Sequence, residues 1–497
     1  MYQYKIHWFF LSILFSVFKL TAQTVSATLV DVESNIPIPF ATIQTDLYNG
    51  VMSNGEGVFT ISVDGLKQNK DSLTISCMGY KTLKIPIKKS LEKTIKLTPE
   101  IYEIIPVFLS SKKYTADEII DNVKKNMAKN YSFDFQKSEL FIRQTNTGNM
   151  LKFKFTLLES SLQNINQKLI DDTFKNIKKK YIYLNETLAD AIIKSPSETK
   201  LNIKKSLSIQ SKEELTSAKK MQEDFMKIMN DNFKSDSQLI LKTGIIRLEK
   251  TESIDSLIRE MDSENKKSTE DKNKNFHGYK TKSINNLVEN LFINKKSDVD
   301  FINKSSKYNF VKNGYSNYDG EWVYILDFSP KGNGKFKGKL YIDAITFAIV
   351  KAEFRNAQNI YDKRFNMFGI KSNAISYKST ILFKKENNKF VLKYLMKESS
   401  DEVGIDRPLT VIEKNENTKG KKRINRVEVQ MDMYVINQNK LEIVFSKNAL
   451  AKASDYDKMK PNIGFESTKL YQYDTAFWNG YNIITPEKAT QELKIEN

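Results

Sequence analysis

Two histidines, His7 and His277, and one cysteine, Cys77, are the chain's whole supply of imidazole and thiol. One cysteine makes no intrachain disulfide and no cysteine-based zinc cluster. His7 lies in an N-terminal segment expected to be removed. That leaves one imidazole, which cannot build a multi-histidine metal centre and is a single candidate for a Ser-His-Asp or Cys-His device. No H-x-x-E metal motif occurs. Asp and Glu number 60, so paired-carboxylate hydrolysis stays open, but no two carboxylates share a defensible motif. No catalytic residue, metal ligand or cofactor-binding residue is assigned, and no cofactor is expected. His277 follows a charged stretch, 262–275 (DSENKKSTEDKNKN), with no apolar anchor. That stretch is expected as a loop, and His277 as a solvated loop residue. Cys77 closes an apolar run and reads as a small buried hydrophobe.

The elements that would position any chemistry come next. At 497 residues the chain exceeds the roughly 250–300 residues one core sustains, so two or more domains are expected. The hydrophobic fraction of 40% and aromatic fraction of 11% suffice for packed cores. The net charge is +18, but the lysines are interspersed with acids and Asn. The short basic runs, Lys178–Lys180 and Lys419–Arg423, read as solvated faces. Arginine, the better base and phosphate reader, is scarce, and no helix-turn-helix, zinc-finger or RNP pattern occurs. Nucleic acid is therefore not an expected partner.

Residues 1–22 read as a secretory signal peptide. Lys5 is the positive flank, Trp8 to Phe18 the apolar run, and Ala22 the small residue before the cut. The run falls short of the ~20 residues that span a bilayer. No cysteine stands near the cut, so no lipid anchor is expected there. No later segment is apolar enough for a transmembrane helix, and location in a periplasm or at an outer membrane is expected.

From 24 to 98 the pattern is short strands between turns. Val25, Ala27 and Leu29 alternate with Ser26 and Thr28; Asn49-Gly50 and Ser53–Gly57 are turn signals. Val58–Ile61, Leu73–Met78, Thr82–Ile87 and Thr94–Leu97 follow. About seven strands in a small antiparallel β-sandwich are expected. The motifs "VDVESNIPIPFATI", "SNGEGVFTI", "DSLTISCMGYKTLKIPI" and "TIKLTP" resemble, in that order, the carboxypeptidase regulatory-like domain. The family's early glycine is replaced here near Thr28-Leu29. The resemblance implies a transthyretin-like sandwich, non-catalytic, at the N-terminus of an exported Gram-negative envelope protein. Gly57 would take a turn conformation other residues avoid, Phe59 would enter the core, and Gly79 would let Tyr80 fold back.

Thr115 and Glu118 form a capping box. Ile119, Ile120, Val123 and Met127 follow at helical spacing, so residues 99–131 are expected as a linker and helix. From 132 to 497 the fold expected is a large curved antiparallel sheet. Its strands include Ser138–Thr145 and Leu151–Ser160 as a pair, Glu321–Ser329, Lys339–Asp343, Ala374–Lys384, Phe390–Lys397 and Arg426–Val435. A helical, Lys-rich insertion is expected at about 164–298. It carries two apolar stripes, Leu215 to Phe233 through Met221, Phe225 and Met229, and Ile284 to Phe292. The overall class is mainly β with α.

On the strand 321–329, Trp322, Tyr324, Leu326 and Phe328 share one face, the candidate apolar ligand face. The run "GEWVYILDFSPKGNGKFKGKLYIDAITFAIVKAEF" resembles the lipoprotein-carrier-like half-barrels. That resemblance implies a sheet holding an acyl chain beneath a helical lid. The tail aromatics Phe477, Trp478 and Tyr481 read as an anchor for the chain end. Three functions follow: a binding or scaffold protein of the envelope, a carrier of lipid or another apolar ligand, and, behind both, a carboxylate-based hydrolase. The partner would be an envelope protein, a lipid or a glycan. The insertion and a C-terminus without a terminal aromatic speak against an outer-membrane barrel.

Overall fold

The computed structural model describes residues 24–45, 50–67, 71–87, 92–100, 102, 113–131, 135–175, 177, 179–209, 223–224, 226–228, 230–244, 246–250, 253, 256, 269–318, 320–357, 360–415 and 423–493. The expected signal peptide, most of the stripe from Leu215 to Phe233 and residues 262–268 lie outside them. The chain forms two compact units, and among the described residues no helix is long and apolar enough to cross a membrane.

The first unit is built on β1 (Thr24–Asp31), β2 (Thr42–Gln44), β3 (Gly50–Met52), β4 (Val58–Ser62), β5 (Ser72–Ser76), β6 (Leu83–Pro86) and β7 (Thr94–Leu97). They make a three-stranded sheet, β4-β1-β7, and a four-stranded sheet, β3-β2-β5-β6. Alternate residues of both sheets meet in one core: Leu29, Ile43, Phe59, Ile61, Leu73 and Ile75 are buried, with Cys77 among them. The expected seven strands are present. One pair departs from the antiparallel expectation, because β1 and β7 run parallel. Gly57 has φ +74°, and a Cβ there would crowd the Leu29 carbonyl, so the turn requires glycine.

Residues 474–492 belong to this unit and not to the body. Trp478 and Ile484 are buried. Asn54 Nδ2 donates to the Pro486 carbonyl at 3.2 Å, and the Lys488 amide donates to Glu56 at 2.8 Å. The turn between β3 and β4 is thus tied to the returning chain.

In the second unit α1 (Ala116–Asn130) opens with the expected capping box, Thr115 accepting from the Glu118 amide and Glu118 from the Thr115 amide. Then come β8 (Gln136–Ser160), α2 (Gln167–Phe174), β9 (Lys180–Ser195), β10 (Glu198–Ile209), β11 (Gln238–Thr243), β12 (Ile246–Lys250) and α3 (Thr269–Glu289). The remainder is β13 (Tyr308–Tyr318), β14 (Glu321–Pro330), β15 (Phe336–Asp343), β16 (Ile349–Asn356), β17 (Ile360–Met367), β18 (Ile370–Glu386), β19 (Lys389–Lys414), β20 (Arg423–Leu450), α4 (Ala453–Lys458) and β21 (Thr468–Leu470).

A 14-stranded sheet runs β13-β14-β15-β16-β18-β19-β20-β8-β9-β10-β21 along its main path. Every pair along it that is described in register is antiparallel except β10 with β21. Asn387 and Asn388, both at positive φ, make the tight β18–β19 hairpin. Beyond Ile370, where β18 starts, β11 takes its place beside the far part of β19.

Three expectations for this unit are corrected. Ser138–Thr145 and Leu151–Ser160 are one strand, β8, and not a hairpin. Gly148, which reads as a turn residue, lies under the Tyr181 ring, where a Cβ would overlap it. Residues 164–298 are not wholly helical. They supply β9 to β12, which extend the sheet; the polar residues at 198–204 alternate with buried ones along β10, and β9 is buried along most of its length. Finally, 269–275 is helix and not loop. Lys and Glu are good helix formers, and the anchored stripe from Ile284 onward nucleates a helix that polar residues then extend.

Candidate functional site

The helix α3 lies across one face of the sheet. Ile284, Leu287, Val288, Leu291 and Phe292 are buried, as the apolar stripe requires. Asn285 Nδ2 donates to the Ser197 carbonyl at 2.7 Å. His277 Nε2 is 3.1 Å from the Leu201 carbonyl; a carbonyl only accepts, so Nε2 carries the proton. His277 is buried on the helix, not solvated in a loop as its polar flank led one to expect.

The expected ligand face is placed on β14. Tyr324, Leu326 and Phe328 are buried there, and Trp322 is half-buried. Phe301, fully buried after α3, stands 4.6 Å from Phe328 and 5.0 Å from Phe354 between ring centroids. Tyr315 lies 5.3 Å from Tyr324, and Tyr102 5.2 Å from Trp322. Trp322, Tyr324 and Phe328 belong to an aromatic layer, and none of the four residues lines the cavity beneath α3.

That cavity, of about 500 Å³, lies between α3 and the strands β16, β18, β19, β20 and β8. Register explains its floor. Ile381 pairs with Leu395, an apolar row at the inner end. Next along the strands, Ser379, Lys397, Leu441 and Gln144 stand side by side. The outer row is Tyr377, Ser399, Asn439 and Asn146. Polarity therefore rises from the inner end to the mouth. Tyr279, Ser283 and Asn286 of the helix, with Asn290 just after it, roof it. No Asp or Glu is among the lining residues. Lys440 lines it from a strand position whose side chain turns to the other face, where it meets Glu442 at 3.7 Å.

At one side of this cleft Lys280 is only 2% exposed. Its Nζ donates to Gln144 Oε1 at 3.2 Å and lies over the Phe276 ring. Burial without a counter-charge pushes its pKa down to about 7. Gln144 Nε2 in turn donates to the Tyr279 hydroxyl at 2.8 Å.

The opposite face of the same strand carries Arg143. Its Nε donates to Glu186 at 2.5 Å, and Glu442 stands 3.9 Å away. Tyr473 donates to Glu186 and Tyr394 to Glu442. Burial alone would lower the Arg143 pKa, but the two carboxylates raise it. The cluster is sealed and has no cavity beside it among those described, so it reads as a structural ion pair. Among the described residues no group of three or more His, Cys, Asp and Glu could hold a metal ion.

Sequence reasoning missed Gln144, Lys280, Lys397 and Tyr279. The helical period through Tyr279, Ser283, Asn286 and Asn290 was the one available signal, since it marks the polar flank of the α3 stripe.

No family model matches the chain, and no curated protein matches it. Among solved structures it is similar to a domain assigned to outer membrane lipoprotein sorting from Vibrio parahaemolyticus. The two are 10% identical over 69% of this chain and 98% of that one, with a TM-score of 0.21. It is also similar to the MucA/MucB complex of Pseudomonas aeruginosa, at 7% identity over 64% and 93% of the two chains and a TM-score of 0.16. Likenesses at these scores carry no conclusion about this chain's function.

Proposed function

We propose that this chain is an exported, non-enzymatic binding protein of a Gram-negative envelope, and that it takes its ligand between α3 and the sheet. The observation that carries the reading is the cleft itself: about 500 Å³, within the range of small-ligand sites, roofed by a single helix. The signal-like residues 1–22 and the envelope-type sandwich motifs support export. A second reading, a carrier of lipid or another apolar ligand, is favoured by the apolar inner row of Ile381 and Leu395 with Leu291 and Val299 above it. Against it, those four residues are already buried by their neighbours. Little apolar area is left for an acyl chain to cover, and hydrophobic gain scales with that area.

The test is Ser283→Trp, which places an indole in the cleft from a half-buried helix position. Native mass spectrometry of protein purified from an envelope fraction should show a bound species in the wild type that this variant lacks, at an unchanged melting temperature. Equal occupancy of the two proteins, or cytosolic protein that keeps residues 1–22, overturns the reading.

A further inference from the structure

The other flank of α3 holds a second space, against the edge of β10. Over 199–203 that strand pairs with β9 on one side only, since β21 reaches no further than Leu207–Ile209. Main-chain groups on its free side meet side chains at intervals. The Ile203 amide donates to Asn462 Oδ1 at 2.8 Å, and the Ile203 carbonyl accepts from Asn462 Nδ2 at 2.6 Å. The Leu201 carbonyl accepts from His277 and the Ser197 carbonyl from Asn285. Eight helical residues rise about 12 Å and four extended ones about 13 Å. The helix therefore lies along this edge, pinned at both ends of a two-turn interval.

Between the pins is a groove of about 450 Å³ that shares only Asn286 with the cleft beneath the helix. Gly278 keeps it open, with nothing within 4 Å of an added Cβ. Two polar atoms of its lining residues are buried without a partner. One is Thr199 Oγ1, on a residue 7% exposed. The other is Asn285 Oδ1, whose direction is compelled. The Ser197 carbonyl at 2.7 Å only accepts, so the amide turns its nitrogen there and its oxygen away. By strand alternation Thr199 also turns its main-chain N–H and C=O to the edge that Leu201 and Ile203 use.

These atoms select a chemistry. Asn285 Oδ1 needs a donor, so an oxyanion, which only accepts, leaves it unpaired. The Thr199 N–H needs an acceptor, so an ammonium, which only donates, leaves that unpaired; Lys200 and Lys282 also outnumber Glu289 in the lining. A hydroxyl both donates and accepts. We infer that the groove between α3 and β10 is a second binding site, for a neutral polyhydroxyl ligand of the sugar class, held by Asn285 Oδ1 and the Thr199 hydroxyl.

Saturation-transfer NMR titrations of the full chain would use methyl α-D-glucoside, methyl β-D-galactoside and methyl α-D-mannoside beside acetate, methylammonium and N-methylacetamide. At least one sugar should bind more tightly than all three comparators. Thr199→Val exchanges an unpaired buried hydroxyl for a methyl of the same shape. It should weaken that sugar about tenfold, with melting unchanged or raised. Gly278→Leu fills the groove from an exposed helix position and should abolish binding. Ser283→Trp, on the flank facing the cleft, should leave sugar binding intact.

No binding of any sugar, a comparator bound as tightly as the sugars, binding unchanged in both Thr199→Val and Gly278→Leu, or a lower melting temperature for Thr199→Val overturns the inference. Sugar binding lost in Ser283→Trp and kept in Gly278→Leu moves the sugar to the cleft, so that this inference fails while the cleft stands as a ligand site.

Discussion

Arg143 and Gln144 are consecutive residues of β8, both buried, and they serve opposite faces of the sheet: Arg143 is paired with Glu186 and Gln144 is held by Lys280. Strand alternation alone separates the ion cluster from the cleft beneath α3.

Arg143→Met should be strongly destabilising. It strands Glu186 and Glu442 without their cation, and breaking a buried pair from one side costs about 3–5 kcal/mol. Urea unfolding would show the loss as a lower midpoint at unchanged slope. A midpoint shift equivalent to less than ~1 kcal/mol would mean that water reaches the cluster.

Lys280 gives the stability a signed pH dependence. Its pKa falls from the ordinary 10.5 to about 7 on folding. Between those values the unfolded chain binds more protons, so this group's contribution to stability rises with pH through that window. Below 7 both states are protonated and the penalty of burying the charge is fully present. Lys280→Met removes the penalty. Its advantage over wild type should shrink by roughly 2–3 kcal/mol between pH 6 and pH 9, read from paired melts at the two values. A gap that does not change with pH would place the ammonium in water.

Two glycines should respond oppositely to alanine. Gly278, within α3, is exposed with nothing within 4 Å of an added Cβ. Gly278→Ala should stabilise by about 0.5–1 kcal/mol through helix propensity. Gly148→Ala drives a methyl into the Tyr181 ring, whose hydroxyl donates to Asn437 at 2.9 Å. Overpacking of that kind costs about 1–3 kcal/mol. Denaturation midpoints of the two variants should move in opposite directions.

What was legible in the sequence follows from how local each signal is. The Thr115–Glu118 box and the buried faces of β1, β4 and β5 depend on neighbours a few residues away, and they stand as expected. The aromatic alternation at 322–328 was read as a candidate ligand face, but whether such a face lines a cavity depends on what packs on it. Here that is Phe301, from a loop whose fate no periodicity records. The cleft was illegible for the same reason. Its floor is assembled from residues of five strands far apart in the chain, and each of Gln144, Asn439, Ser399 and Ser379 alone reads as an ordinary polar position. His277 was misread because a charged flank says nothing about which side of a helix meets the sheet.

The pairing of β8 with β20 joins the beginning of the second unit to its last long strand, with Gln144 beside Leu441. Contacts so distant in the chain are slow to form, because loop closure must precede their reward. A chain emerging from the ribosome has Gln144 and Tyr279 long before it has β20. The cleft therefore has no floor until nearly the whole polypeptide has been delivered. An incomplete chain lacks the cleft, and the compartment in which the last long strand docks is the compartment in which the proposed site is first complete.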